Sequence, residues 1–360
     1  MDIDAIRREI DKLDGEILEL LNRRAERALE IGRAKEESGG AVFDAARERQ
    51  ILERLAALNR GPLTAEAVGD IFGAIFAVSR LLEKQLVVAY YGPAGSFTHI
   101  AARRKFGAGA ELRAMDAIGE VFRAVEKREA DLGVVPIENT TAGVVPLTLD
   151  AFAESNLRIC AESYVEIEHY LLSRCGSMEE VARVYSHPQA LAQCRIWLRA
   201  NLPRVELVPV GSTARAAELA SREEGSGAIG PALAGELHAV PILRAKIHDL
   251  PDNRTRFFVV GHAAAPRSGS DKTSLLFSVP HKSGALHRAL GVFSRHGINM
   301  TFIQSHPTKQ TPWEYMFFVD VVGHVDDPEL SQALEKLGER TLFVRVLGSY
   351  PEATERVGAQ

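Results

Sequence analysis

Residues 1–85 carry apolar side chains at the period of an α-helix. In the first stretch these positions lie three and four residues apart: Ile3, Ile6, Ile10, Leu13, Ile17 and Leu20. The pattern predicts a helix that ends at Gly39–Gly40, a second over Asp44–Leu58 and a third from Thr64 to Gln85. The first helix would contain about 36 residues and rise ~54 Å. Because two shorter helices cannot cover its whole apolar side, we expect a partner chain to pack against it.

After Leu86 the pattern changes to short apolar strands that alternate with helical stretches. The segments LVVAYYG and LGVVPIE are β-rich, and helical patterns follow at 118–128, 190–200 and 213–221. This alternation predicts an α/β domain with mostly parallel sheets. Residues 263–271 form a linker by composition, and the rest has the ferredoxin-like order strand, helix, strand, strand, helix, strand. We therefore predict three domains, over 1–85, 86–263 and 272–350.

Composition narrows the classes of function. The chain is 46% hydrophobic and 25% charged with a formal net charge of -5, so we expect no nucleic-acid partner. Its N-terminus has no apolar signal segment, and no apolar run approaches the ~20 residues that span a membrane. The three cysteines form no C-x-x-C pair, which argues against a metal or redox site. We expect a cytoplasmic protein without cofactor or metal.

Two cations of the first predicted helix require an explanation. Arg24 occupies the heptad position of Ile17 and Ile31, and an arginine in an apolar seam is costly unless an anion meets it. Lys35 lies eleven residues further on, which places it ~20° around the helix and ~16 Å along it. Two cations at that spacing can hold opposite ends of a small dianion.

The charged positions of the three helices together resemble the all-helical chorismate mutase family over the whole of residues 1–85. In that family arginines hold the carboxylates of chorismate, a lysine donates to its ether oxygen and acidic residues bind its ring hydroxyl. The rearrangement to prephenate needs no nucleophile or metal, only a compact conformer and donors for the developing charge. The resemblance implies Lys35 and Glu83 as catalytic residues. The expected chorismate-binding positions are Arg7, Arg24, Lys35, Asp44, Arg47, Glu48, Ser79 and Glu83.

Two of these positions carry a further expectation. Arg7 lies ~25 Å from Arg24 along one helix, too far for one small substrate, so we expect it to serve the site of a partner chain in a homodimer or higher homo-oligomer. Glu83 stands where many members of the family have glutamine, and a carboxylate donates a hydrogen bond only when protonated. We therefore expect the mutase reaction to depend on pH.

Five polar segments of the central domain are each typical of a turn or a helix cap when taken singly. In chain order they are YGPAGSFTHIAA, PIENTTAGVVPLTLD, YSHPQALAQC, GSTARAAELA and LPDNRTRFFVV. Together they resemble prephenate dehydratase, a fold of two α/β lobes like the periplasmic binding proteins, with the site in the cleft. The resemblance implies Thr255 as the main catalytic residue. The expected prephenate-binding residues are Glu138, Asn139, Thr140, Ser186, Gln193, Ser212, Thr213, Arg256 and Phe257.

The chemistry of the dehydratase suits these residue types. Prephenate loses its ring carboxylate and its 4-hydroxyl together, and hydroxide leaves poorly unless a donor protonates or hydrogen-bonds it. The Thr255 hydroxyl can supply that donor without a metal. Neutral groups such as Asn139 and Gln193 can hold carboxylates without opposing the departure of CO₂.

The C-terminal segment resembles an ACT domain, a small α+β sensor of amino acids. Its ligand loop matches Gly284-Ala285-Leu286, and His306 and Pro307 fall in the second ligand motif of related dehydratases. That motif is Glu-Ser-Arg-Pro elsewhere and Gln-Ser-His-Pro here, so the strength of phenylalanine feedback stays open.

The sequence thus predicts a bifunctional enzyme of phenylalanine biosynthesis that rearranges chorismate and then dehydrates prephenate to phenylpyruvate. Two alternatives stay open at this point. In the first, the enzyme uses arogenate instead of prephenate as its second substrate. In the second, the chain is an amino-acid sensor with inactive enzyme domains.

Overall fold

A computed structural model describes residues 2–38, 42–308 and 314–353. The chain forms two compact units. One consists of the residues up to Leu86 together with Phe106–Glu111, and the other of Val87–Lys105 and the residues from Leu112 on. In the described part of the chain, no helix has both the length and the apolar character needed to cross a membrane.

The first unit is built from three helices, as its apolar period predicts. They are α1 (Ile3–Ser38), α2 (Ala45–Leu58) and α3 (Ala65–Glu83). Asp44 and Thr64 accept hydrogen bonds from the N–H groups of Arg47 and Ala67, which fixes where α2 and α3 begin. The predicted end of α1 at Gly39–Gly40 lies outside the described residues.

The contact between α1 and α3 depends on a glycine. A Cβ atom on Gly32 would lie 3.0 Å from Cα of Glu83, so a larger residue there would push the two helices apart. The other side of α1 is uncovered within this chain. Its exposed apolar residues follow the predicted seam: Ile3, Ile6, Ile10, Leu13, Ile17 and Leu20.

After the three helices the chain forms two α/β lobes, which belong to the second unit except for Leu86 and Phe106–Glu111. The first lobe contains β1 (Leu86–Tyr91), α4 (Phe97–Phe106), a single 3₁₀ turn (Gly107–Gly109), β2 (Ala110–Met115), α5 (Ile118–Glu126), β3 (Leu132–Asn139), β4 (Gly143–Val144), α6 (Pro146–Glu154) and β5 (Arg158–Glu166). The second lobe contains β6 (Tyr170–Ser173), β7 (Arg183–Ser186), α7 (Pro188–Gln193), α8 (Arg195–Asn201), β8 (Glu206–Pro209), α9 (Thr213–Ala220), β9 (Ser226–Gly230), α10 (Ala232–His238) and β10 (Ile242–Arg244). The chain then returns to the first lobe as β11 (Arg254–Gly261).

Both lobe sheets are mixed, which corrects the expectation of mostly parallel sheets. The first has the order β2-β1-β3-β11-β5 with β4 paired to β3, and the second the order β10-β6-β9-β7-β8. β1 is parallel to β3, but β11 is antiparallel to β3 and β5 because it enters the sheet from the opposite lobe. In the second lobe β7 is parallel to β8 and β9, whereas β6 is antiparallel to β9 and β10.

The C-terminal part has the predicted ferredoxin-like order. Its elements are β12 (Asp271–Ser278), α11 (Ala285–Arg295), β13 (Met300–Pro307), β14 (Tyr315–Val322), α12 (Pro328–Gly338) and β15 (Phe343–Pro351). The sheet order is β13-β14-β12-β15. One face of this sheet shares a core with the first lobe, where the rings of Phe258 and Phe318 are stacked with centroids 6.4 Å apart. The aromatic contact joins the C-terminal domain to the strand that carries Thr255.

Candidate functional sites

The facing surfaces of α1 and α3 bring together four of the expected chorismate-binding side chains. Lys35 Nζ lies 2.9 Å from Glu83 Oε2 and also donates to the carbonyl oxygen of Val42 at 3.3 Å. The Glu83 side chain is only 10% exposed and that of Lys35 27%, so the ion pair is partly shielded from water. Because Gly32 has no side chain, α1 and α3 can lie close enough for Lys35 and Glu83 to meet.

Arg24 completes this cluster from the middle of α1. It donates to Ser79 Oγ, and Ser79 in turn donates to the carbonyl oxygen of Ile75 at 2.8 Å. The guanidinium also lies over the ring of Phe76, 5.6 Å from its centroid. Burial lowers the pKa of Arg24, and the negative charge of Glu83 opposes that shift.

The acidic residue of α2 meets a cation that the sequence did not single out. Glu48 forms an ion pair with Arg80, which is 5% exposed and lies near the rings of Phe43 and Phe106. The signal was available, because Arg80 interrupts the apolar run of α3. A buried arginine of this kind needs an anionic partner.

Three expected residues lie apart from these contacts. The carboxylate of Asp44 caps α2, and Arg47 is exposed. Arg7 is exposed near the N-terminal end of α1, where its nearest anion is Asp4 at 3.4 Å. Among the described residues, Arg7 makes no contact with the Arg24–Lys35 cluster.

In the second unit, Thr255 lies opposite Asn139 in the pairing of β11 with β3. Asn139 Nδ2 lies 2.9 Å from Thr255 Oγ1, 2.8 Å from Asn253 Oδ1 and 3.0 Å from the carbonyl oxygen of Arg254. Asn139 Oδ1 accepts from the N–H groups of Thr141 and Ala142 at 3.1 and 2.9 Å. The turn after β3 therefore holds the amide with its nitrogen towards Thr255.

A side-chain contact joins the two lobes next to Thr255. Gln193, at the end of α7, places Nε2 2.8 Å from Oγ1 of Thr141 in the first lobe. Its Oε1 lies 2.8 Å from Nε2 of His169, which belongs to the segment that first crosses between the lobes. Burial lowers the pKa of His169 to about 4. The sequence motifs pointed to Gln193 and include Asn253, but they did not single out Thr141 or His169.

The structure gives Arg256 a different set of partners from prephenate. It is 3% exposed and its guanidinium contacts Glu162 at 2.7 Å, Glu138 at 3.1 Å and Asp320 at 2.7 Å. Burial opposes its charge, but the nearby Tyr350, Asp320 and Glu162 raise the pKa of Arg256 well above its usual range. Asp320 lies on β14, so Arg256 connects the strand of Thr255 to the C-terminal domain. Phe257 is buried as well.

The remaining expected prephenate residues act in local structure. Ser186 is fully buried and donates to the carbonyl oxygen of Ile229 at 2.6 Å. Ser212 caps α9 by accepting from the N–H of Arg215, and Thr213 is half-buried as its first residue. Thr140 is exposed and donates to the carbonyl oxygen of Asp252 at 3.2 Å.

The C-terminal domain contains a cavity of ≈ 340 Å³ at the start of α11. Ala285 and Leu286 line it, together with Tyr315 and Phe317 of β14. Gly284 precedes the helix with φ +73°, a left-handed conformation that favours glycine. His306 instead lies 2.7 Å from Asp150 of α6, and Pro307 is exposed at the end of β13.

Within residues 2–38, 42–308 and 314–353, no group of three or more His, Cys, Asp or Glu side chains is arranged to hold a metal ion. The side chains gathered around Lys35 can bind a dianion and donate hydrogen bonds. Those around Thr255 present hydroxyl and amide groups that can donate to carboxylates and to a leaving hydroxyl.

Comparison with known proteins gives three family models in chain order. Residues 6–84 match chorismate mutase type II, residues 88–265 match prephenate dehydratase and residues 273–339 match the ACT domain. A protein of Aquifex aeolicus named bifunctional chorismate mutase/prephenate dehydratase is 46% identical over 97% of this chain and 97% of its own length.

Two solved structures resemble the larger part of the chain. A prephenate dehydratase of Arthrobacter aurescens in complex with L-Phe is 34% identical, with a TM-score of 0.70, over 74% of this chain and 90% of that one. A structure described as GqqA, a quorum-quenching acylase, is 32% identical, with a TM-score of 0.69, over 75% of this chain and 99% of that one.

Proposed function

The chain belongs to the family of bifunctional chorismate mutase/prephenate dehydratases, and from that premise we propose which of its residues perform the two reactions. It is an enzyme of phenylalanine biosynthesis that carries out the rearrangement of chorismate and the dehydration of prephenate. An amino-acid sensor with inactive enzyme domains is not favoured, because family models match both catalytic domains. Prephenate is our proposed second substrate over arogenate, since the relative is named for prephenate.

The mutase site is the cluster between α1 and α3. Arg24 and Lys35 bind the two ends of the dianionic substrate, and Ser79 fixes the Arg24 guanidinium. Lys35 then donates to the ether oxygen as negative charge develops there. The ion pair of Lys35 with Glu83 supports this assignment, because it holds the ammonium group in the cluster before the substrate arrives. Asp44, Arg47 and Glu48 complete the site from α2, with Arg80 fixing Glu48.

A second copy of the chain supplies Arg7. The uncovered apolar side of α1 requires a partner, and Ile10 and Ile17 are each at least half exposed in one chain. A long helix that pairs with its symmetry mate places each N-terminal end beside the other chain's cluster. Arg7 of one protomer therefore binds chorismate in its partner's site, and the homodimer is the smallest active mutase.

The dehydratase site is the cluster around Thr255. Because Thr255 Oγ1 accepts from Asn139, the hydroxyl proton of Thr255 is available to the 4-hydroxyl of prephenate. As the ring carboxylate leaves as CO₂, its bonding electrons aromatise the ring, the 4-hydroxyl leaves as water with the proton from Thr255, and solvent returns a proton to Thr255. Gln193 and the start of α9 hold the carboxylates, and Arg256 acts on the site through Glu138. The single observation that carries this assignment is the Asn139–Thr255 hydrogen bond.

Phenylalanine binds the C-terminal domain as an effector, and its site is the cavity beside Ala285 and Leu286. Tyr315 and Phe317 offer aromatic surface for its ring. We assign His306 to a contact with Asp150 of the dehydratase domain and not to a contact with phenylalanine. Cytoplasmic placement belongs to the same proposal, because three free cysteines suit a reducing compartment.

Separate assays of the two reactions test the assignment of the two sites. Arg24→Ala should lower mutase kcat/KM about 10- to 100-fold, which is the cost of a lost charged hydrogen bond. Its dehydratase activity should stay within about twofold of wild type. Gln193→Met should give the reverse pattern. If either variant reduces both activities equally at unchanged unfolding temperature, the two sites are not where we place them.

A further inference from the structure

His169 is a buried histidine that no sequence motif singled out. It is 2% exposed, lies in the segment between β5 and β6, and meets the ring of Phe97 edge-on with centroids 5.7 Å apart. Its Nε2 contacts Gln193 Oε1, whereas its Nδ1 is buried without a hydrogen-bond partner among the described residues. A buried imidazole with one committed nitrogen raises the question of where its proton lies.

The hydrogen bonds around Asn139 answer that question, because backbone groups fix their direction. Two backbone N–H groups, of Thr141 and Ala142, donate to the same side-chain atom of Asn139, so that atom is the carbonyl oxygen. Thr141 Oγ1 lies 2.7 Å from this oxygen and 3.4 Å from Asn253 Oδ1, so its only proton is donated to these oxygens, of which that of Asn139 is nearer. Thr141 can then act only as an acceptor towards Gln193.

The same reasoning continues to the histidine. The Gln193 atom 2.8 Å from Thr141 Oγ1 must be the amide nitrogen, so the amide oxygen faces His169. His169 must therefore carry a proton on Nε2. The neutral ring then has a bare lone pair at Nδ1, in agreement with the absence of an acceptor beside that atom in the described structure. The opposite tautomer would bury an unsatisfied N–H donor and set two acceptors against each other.

We propose that His169 is a positioning residue of the dehydratase, which as the Nε2–H tautomer holds the Gln193 amide with its nitrogen towards Thr141 and the substrate. This role rests on the proposed function of the Thr255 cluster. One N–H of Gln193 bonds Thr141 across the lobes, and the second points to a carboxylate of the substrate. The result is one directed series of hydrogen bonds from His169 to Thr255, in which each donor is fixed by the next acceptor.

The surroundings of His169 keep it in a single protonation state. Burial is the main cause that lowers its pKa to about 4, and the bond to Gln193 opposes the shift. His248, whose Nδ1 lies 3.4 Å from the His169 backbone nitrogen, adds to the lowering. At neutral pH the ring is uncharged and donates through one nitrogen.

A double-mutant cycle on the full-length enzyme tests the proposal. His169→Phe fills the same space without a donor and should lower dehydratase kcat about fivefold to tenfold, the value of one hydrogen bond. His169→Gln keeps an N–H donor near Nε2 and should stay within about threefold of wild type. In a Gln193→Met background, His169→Phe should cost less than about twofold further, because its effect passes through Gln193.

The mutase activity of each variant reports the amount of intact protein, and the unfolding temperature reports the folding of the dehydratase part. Additive losses in the cycle would overturn the proposal, as would a His169→Gln enzyme no better than His169→Phe or a His169→Phe enzyme with unchanged kcat. These results differ from failure of the proposed function itself, in which the wild-type chain would show no dehydratase activity.

Discussion

In the mutase site that we propose, the ion pair between Lys35 and Glu83 sets which hydrogen-bonding groups the free site offers to chorismate. The Glu83 carboxylate accepts from Lys35 Nζ at 2.9 Å, so in this ion pair Glu83 is an acceptor beside the proposed position of the developing negative charge. Glutamine would supply a second donor there and release Lys35 from the ion pair. Residue 83 is therefore where we expect this enzyme to differ in pH dependence from relatives that carry glutamine.

We predict that Glu83→Gln raises mutase kcat/KM at pH 7 by about tenfold, the effect of one additional donor at a developing charge. The advantage should narrow as the pH falls, because a protonated Glu83 also donates. Pre-steady-state and steady-state mutase assays across a range of pH would measure kcat/KM of both enzymes. Dehydratase activity is the control for unfolding. Parallel pH profiles of the two enzymes would show that residue 83 is not a second donor.

His169 gives the dehydratase a stability that depends on pH. Its pKa is about 4 in the folded protein against an ordinary 6.5, so the unfolded chain binds more protons between these values. Neutral His169 costs the folded protein no stability above about pH 6.5. As the pH falls from there towards 4, the free energy of unfolding decreases by at most ~1.4 kcal/mol per pH unit. Denaturant unfolding of wild type and His169→Gln from pH 7 to pH 4.5 should show a smaller acid loss in the variant. Equal losses would contradict the lowered pKa.

Arg256 shows why some side-chain roles could not be predicted from the sequence. The motif that contains Thr255 suggested that Arg256 contacts prephenate, but the pairing of β11 with β3 shifts register between Arg256 and Phe257. Simple alternation along the strand therefore does not give the direction of Arg256. Its partners Glu162 and Asp320 come from β5 and β14, far away in the sequence. His169 escaped notice for the same reason, since its partner Gln193 is distant along the chain.

At the scale of whole elements the sequence was a better guide. The apolar period gave the helices α2 and α3 nearly to the residue, and in the structure Asp44 and Thr64 cap them. The strand and helix order gave the C-terminal fold. The antiparallel strands of the lobe sheets were not predicted. The chain returns from the second lobe to the first as β11, and nothing in the local sequence of β11 indicates its direction.

The strand β11 links the catalytic cluster to the C-terminal domain through Arg256. We predict that Arg256→Met destabilises the second unit by on the order of 3–5 kcal/mol, because Asp320 and Glu162 would remain buried with fewer cationic partners. The measurement is thermal unfolding of the variant, with both activities assayed as the temperature rises. Mutase activity should persist to a higher temperature than dehydratase activity. A variant with normal stability and a raised KM for prephenate would instead assign Arg256 to substrate binding.

We propose that two chains pair along α1 and that each mutase site needs both of them. If Arg7 serves the partner's site, Arg7→Ala and Arg24→Ala enzymes are each impaired, but mixed dimers contain one intact site. A refolded 1:1 mixture should then recover roughly a quarter of wild-type mutase activity, since half of the dimers are mixed and each has one good site. Sedimentation of the same samples confirms the dimer. Absence of recovery in a sample shown to contain mixed dimers would place Arg7 outside the partner's site.

At the scale of the whole molecule, two chemistries reside in separate compact units of one chain. Prephenate is the product of the first and the substrate of the second. A block in the second unit should therefore make the intermediate visible without slowing its formation. This separation allows the central claim to be tested in one reaction vessel.

The most direct measurement is the time course of prephenate and phenylpyruvate after chorismate is added to wild type, Thr255→Ala and Thr255→Ser. We predict that wild type yields phenylpyruvate, and that Thr255→Ala accumulates prephenate at an undiminished mutase rate with dehydratase kcat lowered about 100-fold or more. Thr255→Ser keeps the donor hydroxyl and should retain most of the second activity. Rapid formation of phenylpyruvate by Thr255→Ala, or no conversion of chorismate by wild type, would contradict the account.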